Sequence, residues 1–202
     1  MDQNQTGDEW ARMVSGRLYN PADKEIAKRH RTGLLRCDRF NRIALWRAKA
    51  KQRALERLIP SAKGKKFEVF APFNCEYGVN IHVGQNCFVN YKSVFLDVAP
   101  ITLGNNVLIG SNVTLATPNY PFLAEERAFA DYPDGCHELE YAQPITIGDH
   151  CWLCSGVTVC GGVTIGAGSI IAAGVPAKVL RQISESDRIH VWEKYIKNEP
   201  PR

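Results

Sequence analysis

The residues in this chain that could do chemistry are five histidines, a Cys-x-x-Cys pair and an acidic loop. His30 and His190 fall in helical stretches, His82 and His150 in strand-like ones, and His137 in the irregular segment DGCHELEY. A loop histidine titrates near neutrality and can act as a general base, although an exposed side chain with no task is the plainer expectation. Cys151 and Cys154 form CWLC, a spacing that can hold zinc or run thiol chemistry. The acids Glu125, Glu126, Asp131 and Asp134 suit hydroxyl-rich ligands, or are simply solvated. Which of these groups can work depends on the elements that carry them.

A six-residue period organises most of the chain. Its lead positions are Val69, Cys75, Ile81, Cys87 and Ser93, then, after two extra residues near Pro100, Ile101, Val107 and Val113. It resumes with Ile145, Cys151, Val157, Val163, Ser169 and Val175. A fixed period of six signals a parallel β-helix, whereas strands of a sandwich would recur every 8–12 residues. Each lead residue points inward, Gly, Asn or Ala permits the corner, and residues about 18 apart stack. In this frame Cys151 faces inward and Cys154 lies near a corner, so the two do not share a metal. Cys75 and Cys87 serve as small buried hydrophobes. His82, His137 and His150 lack the spacing of a three-histidine zinc site built from adjacent coils, and no metal is expected.

Residues 118–144 break the frame. A long loop inside a compact repeat is usually functional. Before the repeats, Thr6 and Glu9 form a capping box for a short helix carrying Trp10, Met13 and Val14, which Gly16 can end. Asn20 caps a second helix with Pro21 at its first position, and Ile26, His30, Leu34, Cys37 and Phe40 form its buried side. A third helix runs from about Asn41 to Leu58 with Ile43, Trp46, Ala50 and Ala54 packed, and Pro60 stops it. The expected divisions are a helical segment at 1–60, a β-helix at 61–181 with the loop inserted, and a tail helix at 182–202.

The 202 residues, 45% hydrophobic, can bury a core. No run is long enough to span a membrane, and MDQNQTGDEW lacks a signal-peptide layout, so a cytoplasmic protein is expected. The net charge of +4 conceals an asymmetry: residues 1–66 hold 17 of the 25 Lys and Arg but 7 of the 21 Asp and Glu. A basic helical segment can meet cofactor phosphates or an acidic neighbour; no nucleic-acid-binding motif accompanies it.

The stretches MVSGRLYNPAD, CEYGVNIHVGQN, NYKSVFLDVAPITLGNNVLIGSNVTLATP and GVTIGAGSIIAAGVPAKVLR resemble the maltose and galactoside O-acetyltransferases, members of the hexapeptide-repeat acyltransferases. The resemblance covers nearly the whole chain. It implies a mainly β protein, a left-handed parallel β-helix with an N-terminal helical segment, assembled as a homotrimer with sites between subunits. It also implies direct acetyl transfer from acetyl-CoA to a sugar hydroxyl, with no metal. By position, Asn90 matches an acceptor-site asparagine that supports catalysis. Glu76, Asp97 and Asp23 match acceptor-binding positions, and Trp152 and Ser155 fall on the slot for CoA.

Two departures stand out. The family's base histidine follows a Thr-Leu and a short turn; here TLATPNYP puts Tyr120 in its place, leaving His137 as a candidate substitute. A phenol of pKa about 10 is a poor base at neutral pH, and loss of a general base costs roughly 10²–10⁴-fold. The second departure joins Gly174 directly to Val175, omitting about 15 residues, close to one coil, that the family uses at the nucleotide end of CoA. Lys178 and Arg181 remain as phosphate partners. The implied function is therefore an O-acetyltransferase with an altered site. The competing function is a trimeric β-helix that binds a ligand without transferring anything.

Overall fold

The computed structural model describes residues 8–133 and 135–171. The expected tail helix, Lys178, Arg181, the Gly174–Val175 junction, Thr6 and Asp134 lie outside the described residues. Helix α1 (Glu9–Val14) is capped by Asp8, whose carboxylate accepts from Ala11 N. Glu9 Oε2 accepts from Asn20 N at 2.7 Å and so holds the next turn. Helix α2 (Lys24–Arg42) starts later than the expected Asn20–Pro21. Asn20 instead closes its own turn by accepting from Ala22 N. Asp23 is the cap, its Oδ1 accepting from Glu25 N and Ile26 N, which satisfies orphan donors at the helix start.

Asn41 belongs to α2, and helix α3 begins only at Ala48 (Ala48–Leu58). The expectation of one helix from Asn41 overlooked the link at 43–47. In it Trp46 is 88% exposed instead of packed, and on α2 Leu34 also faces out. Ile26, Cys37 and Phe40 are buried as expected, with Gly33 beside them.

The repeat begins with β1 (Phe67–Val69), β2 (Phe73–Cys75) and β3 (Ile81–Val83), which make the first coil. The second coil is β4 (Cys87–Val89), β5 (Ser93–Leu96) and β6 (Ile101–Leu103). The third starts with β7 (Leu108–Ile109) and β8 (Thr114–Ala116). It is then interrupted by a loop containing β9 (Pro118–Asn119), β10 (Ala130–Tyr132), β11 (Gly135–His137) and β12 (Tyr141–Ala142). Strand β13 (Ile145–Ile147) completes it. The fourth coil is β14 (Trp152–Leu153), β15 (Thr158–Cys160) and β16 (Thr164–Ile165), and β17 (Ile170–Ile171) opens another.

Three parallel faces result: β1-β4-β7-β14-β17, β2-β5-β8-β15 and β3-β6-β13-β16. Ile101, Val107, Val113, Ile145 and Cys151 are buried as lead residues, and so are Leu103, Ile109, Leu115, Ile147 and Leu153 two places on. Two inward rows per face leave one outward residue between them, the period-two pattern of a half-buried strand. Each fully buried aliphatic side chain contributes about 1.5–3 kcal/mol. Asn86, Asn106 and Asn112 take the left-handed conformation at corners, and so does His150. His150 Nε2 lies 3.5 Å from Asn106 Nδ2, and Asn106 in turn accepts from Asn86, which gives this histidine a place in a corner ladder.

The register corrects the expected frame. Phe67 pairs with Cys87, Phe73 with Ser93 and Ile81 with Ile101, each twenty residues apart. The expected 18-residue spacing holds only in the last coils, where Thr146 pairs with Thr164. Val69 and Cys75 are therefore second inward residues, and Phe67 and Phe73 are the leads. The extra residues fall at 76–80 in the first coil and at 97–100 in the second. Both lie at the corner between the second and third faces, where the loop at 117–144 also leaves the third coil. Three successive coils are enlarged at one corner, and that corner builds the site.

Candidate active site

Coils stack ~4.8 Å apart, so extensions from the same corner lie over one another. The first carries Glu76 and Tyr77, the second Asp97, and the third the two ends of the loop. Asp97 is fully buried and organises the turn above it: its Oδ1 accepts from Glu76 N (3.0 Å) and Tyr77 N (2.9 Å). Asn80 Nδ2 donates to the Asp97 and Val98 carbonyls. Thr117 continues the stack, donating to Leu96 O and accepting from Ala99 N. The second oxygen of Asp97, Oδ2, is buried with no hydrogen-bond partner among the described residues.

The loop returns to the corner through an antiparallel pairing of β9 with β12, Asn119 opposite Tyr141 and Pro118 opposite Ala142. One step further, this register places Tyr120 opposite Glu140. Glu140 is bridged on its other side to Tyr19, through Tyr19 N to Glu140 O (2.9 Å) and Glu140 N to Tyr19 O (3.2 Å). The buried Tyr19 hydroxyl donates to Glu140 Oε2 at 2.7 Å. An apolar cluster of Met13, Tyr19, Ile26, Tyr77, Val98 and Ala142 seats the N-terminal segment on this corner. Helix α2 is tied there by Asn41, which both donates to Phe73 O and accepts from Phe73 N. Gly33 lets it approach: a Cβ there would meet Glu76 O at 2.0 Å.

The electrostatics follow from that packing. Burial, then the charges of Asp97 and Glu140, pushes the Glu76 carboxyl up to about 7. Burial raises Asp97 to about 6, against the backbone donors of Tyr77, Glu76 and Gly78 that hold its anion. Burial and then Glu140 raise the Tyr120 phenol, and burial first of all raises Tyr19 and Tyr77. The corner is a group of carboxyls and phenols that retains a proton near neutrality. Such groups accept hydrogen bonds from hydroxyls and move protons.

Glu76, Asp97 and Tyr120, all singled out from sequence, gather at this corner. Asp23 caps α2, four residues after Tyr19. Asn90 lies at a different corner, between the first and second faces, where its Oδ1 accepts from Tyr91 N at 2.8 Å. Ser155 shares that corner, bonded to Ser111, and Trp152 faces outward on β14. His137 is 4% exposed, stacked on Tyr132 at 4.6 Å with Nδ1 2.8 Å from Glu138 O. The expectation of an exposed loop histidine is thus corrected: the β10–β11 pairing folds the ring into the loop. Cys151 is buried and Cys154 is at a corner, and both are free thiols.

Sequence reasoning missed Tyr19, Tyr77 and Glu140. The usable signal for Glu140 was its closeness to Ile145, where the period resumes: residues at the ends of an inserted loop must return to the corner that emits it. The singled-out acids of the loop, Glu125, Glu126 and Asp131, are exposed, and Glu126 lines a cavity with Tyr132, Leu139 and Tyr141.

Three family models match, in chain order: the maltose acetyltransferase hexapeptide capping motif at 12–63, a hexapeptide repeat of succinyl-transferase at 80–117, and the bacterial transferase hexapeptide at 144–175. The galactoside O-acetyltransferase of Escherichia coli is 30% identical over 91% of this chain and 94% of its own length. The maltose O-acetyltransferase structure from Clostridium difficile superposes with a TM-score of 0.74 at 32% identity, over 88% of this chain and 98% of that one. A hexapeptide-repeat acetyltransferase from Vibrio cholerae, solved with acetyl-CoA, gives 0.75 at 29% identity over 88% and 99%. With the repeat and the helical cap both matched and nearly the whole chain alignable at 30% identity, the chain belongs to the hexapeptide-repeat acetyltransferase family that carries the maltose acetyltransferase cap.

Proposed function

We propose that this protein is an acetyl-CoA-dependent O-acetyltransferase that transfers acetyl directly to a sugar hydroxyl, working as a homotrimer of left-handed β-helices. The observation that carries this is the stacked corner of Glu76, Asp97 and Glu140, in a chain 30% identical to a galactoside O-acetyltransferase over nearly its whole length. Glu76, with Asp97 beneath it, offers carboxyl oxygens to the hydroxyls of the acceptor. Trp152 and Ser155 serve the CoA slot, and Asn90, at the same corner as Ser155, supports catalysis on the acceptor.

Two features support assembly. The Glu76–Tyr120 corner and the Asn90–Ser155 corner are at opposite ends of the second face, at least ~10 Å apart for strands of three or four residues. One chain does not join them, whereas a second copy packed corner to corner does. The outward side of the first face also carries an exposed apolar ladder, with Leu108 (48%), Trp152 (47%) and Ile170 (48%) in register. A pantetheine arm or a neighbouring subunit would cover such a strip.

The test is calorimetric titration with CoA, followed by thiol release with maltose and simple glucosides as acceptors. Micromolar CoA binding with release on acceptor addition is the expected result. A folded protein that binds no CoA would favour the non-catalytic alternative, to which Tyr120 already lends weight. His137, enclosed by its loop, is not the base in this proposal. His137→Ala is expected to keep turnover within about threefold, well short of the 10²–10⁴-fold loss of a true base; abolished turnover would reinstate it.

A further inference from the structure

We infer that Tyr120 and Glu140 form a proton relay that replaces the missing histidine, with Tyr120 taking the acceptor's proton as it passes its own to Glu140. This rests on the transfer reaction proposed above. The antiparallel register pairs Asn119 with Tyr141, and one step beyond the ends of the two strands it brings Tyr120 toward Glu140. The Glu140 carboxylate is near enough to act on the Tyr120 hydroxyl by its charge, and the relay closes when the phenol turns to donate to it. Tyr19 fixes that carboxylate from the far side, by a 2.7 Å hydrogen bond to Oε2 and by two backbone hydrogen bonds. Tyr19 is bonded to Glu140, and the charge of Glu140 also reaches Tyr77, Tyr120 and Glu76.

A lone phenol is too weak a base for a sugar hydroxyl. A phenol that donates to a carboxylate is different, because it accepts a proton on its oxygen while releasing the one it holds. Tyr120 is half exposed, within reach of an acceptor from solvent, and Glu140 is partly buried. The step balances. The acceptor O–H breaks, its proton goes to Tyr120 and that of Tyr120 to Glu140, and the acceptor oxygen bonds the acetyl carbon of acetyl-CoA. The C–S bond then breaks and the departing thiolate takes the proton back along the same path. Tyr120 is the catalytic residue, and Glu140 acts through it.

The experiment compares Tyr120→Phe, Glu140→Gln and the double variant by steady-state kinetics on the full-length protein with acetyl-CoA and maltose. Gln keeps an acceptor for Tyr19, and Phe removes only a hydroxyl, so folding should be preserved; thermal melting verifies it. Each single change is expected to lower kcat about 100-fold with KM for acetyl-CoA within about twofold. Residues that act in series are non-additive, so the double variant should be no more than about threefold slower than the slower single variant. Losses that multiply, or a Glu140→Gln enzyme within threefold of wild type, would overturn the relay while leaving acetyl transfer intact. A wild-type protein that binds CoA but acetylates no sugar would overturn the transfer function, and the relay with it.

Discussion

Replacing Tyr120 with histidine is expected to raise acetyl transfer to a simple glucoside at pH 7 by at least about tenfold. An imidazole of pKa near 6.5 is matched to a neutral reaction, whereas a phenol near 10 is not. Burial and the Glu140 carboxylate raise Tyr120 further, so it can take a proton only by passing its own to Glu140, a demand that an imidazole escapes. The same carboxylate would lie next to the new imidazole and would favour its protonated form after the hydroxyl is deprotonated. The site thus already holds the partner that a histidine base needs. The measurement is kcat/KM by thiol release, wild type against Tyr120→His. No gain would locate the limit elsewhere in the cycle.

Much of the fold was legible because inward and outward residues alternate within each six-residue block, and alternation survives changes in corner length. What it does not fix is the corner length itself. Val69 and Cys75 face inward just as lead residues do, so the frame ran backwards through them and hid the extension at Glu76–Asn80. Only hydrogen bonding between coils, Phe67 to Cys87 and Phe73 to Ser93, separates the two frames. Trp46 misled for a related reason: helical spacing was counted across the link between α2 and α3, where no helix exists to give it a buried face. At the site, resemblance located Glu76, Asp97 and Tyr120 because they lie in or next to the periodic frame. Glu140 lies in an aperiodic loop, and its role depends on a pairing with Tyr19 across 121 residues. No local pattern encodes that contact.

Glu76→Gln is expected to stabilise the protein above pH 7 and to have no effect on stability near pH 4. Glu76 is raised from an ordinary carboxyl value near 4.5 to about 7, first by burial and then by Asp97 and Glu140. Between these values the native state holds a proton that the unfolded chain has released, so stability falls as pH rises through that window. Above pH 7 the native protein carries a poorly solvated carboxylate beside two others, a cost of about 1–3 kcal/mol after allowance for partial exposure. A neutral amide escapes it, and the melting temperature at pH 8 should rise by roughly 3–10 °C in a chain of this size. Asp97, raised to about 6, acts in the same direction at lower pH but cannot be replaced as freely, because it holds the backbone donors of Glu76 and Tyr77. Retaining so costly a carboxyl in a half-buried position is explained if it binds something. The same variant should therefore raise KM for the sugar while leaving KM for acetyl-CoA within about twofold. If melting at pH 8 instead shows Glu76→Gln to be destabilised, the Glu76 anion is satisfied in the assembled protein, and its part in acceptor binding would need another basis.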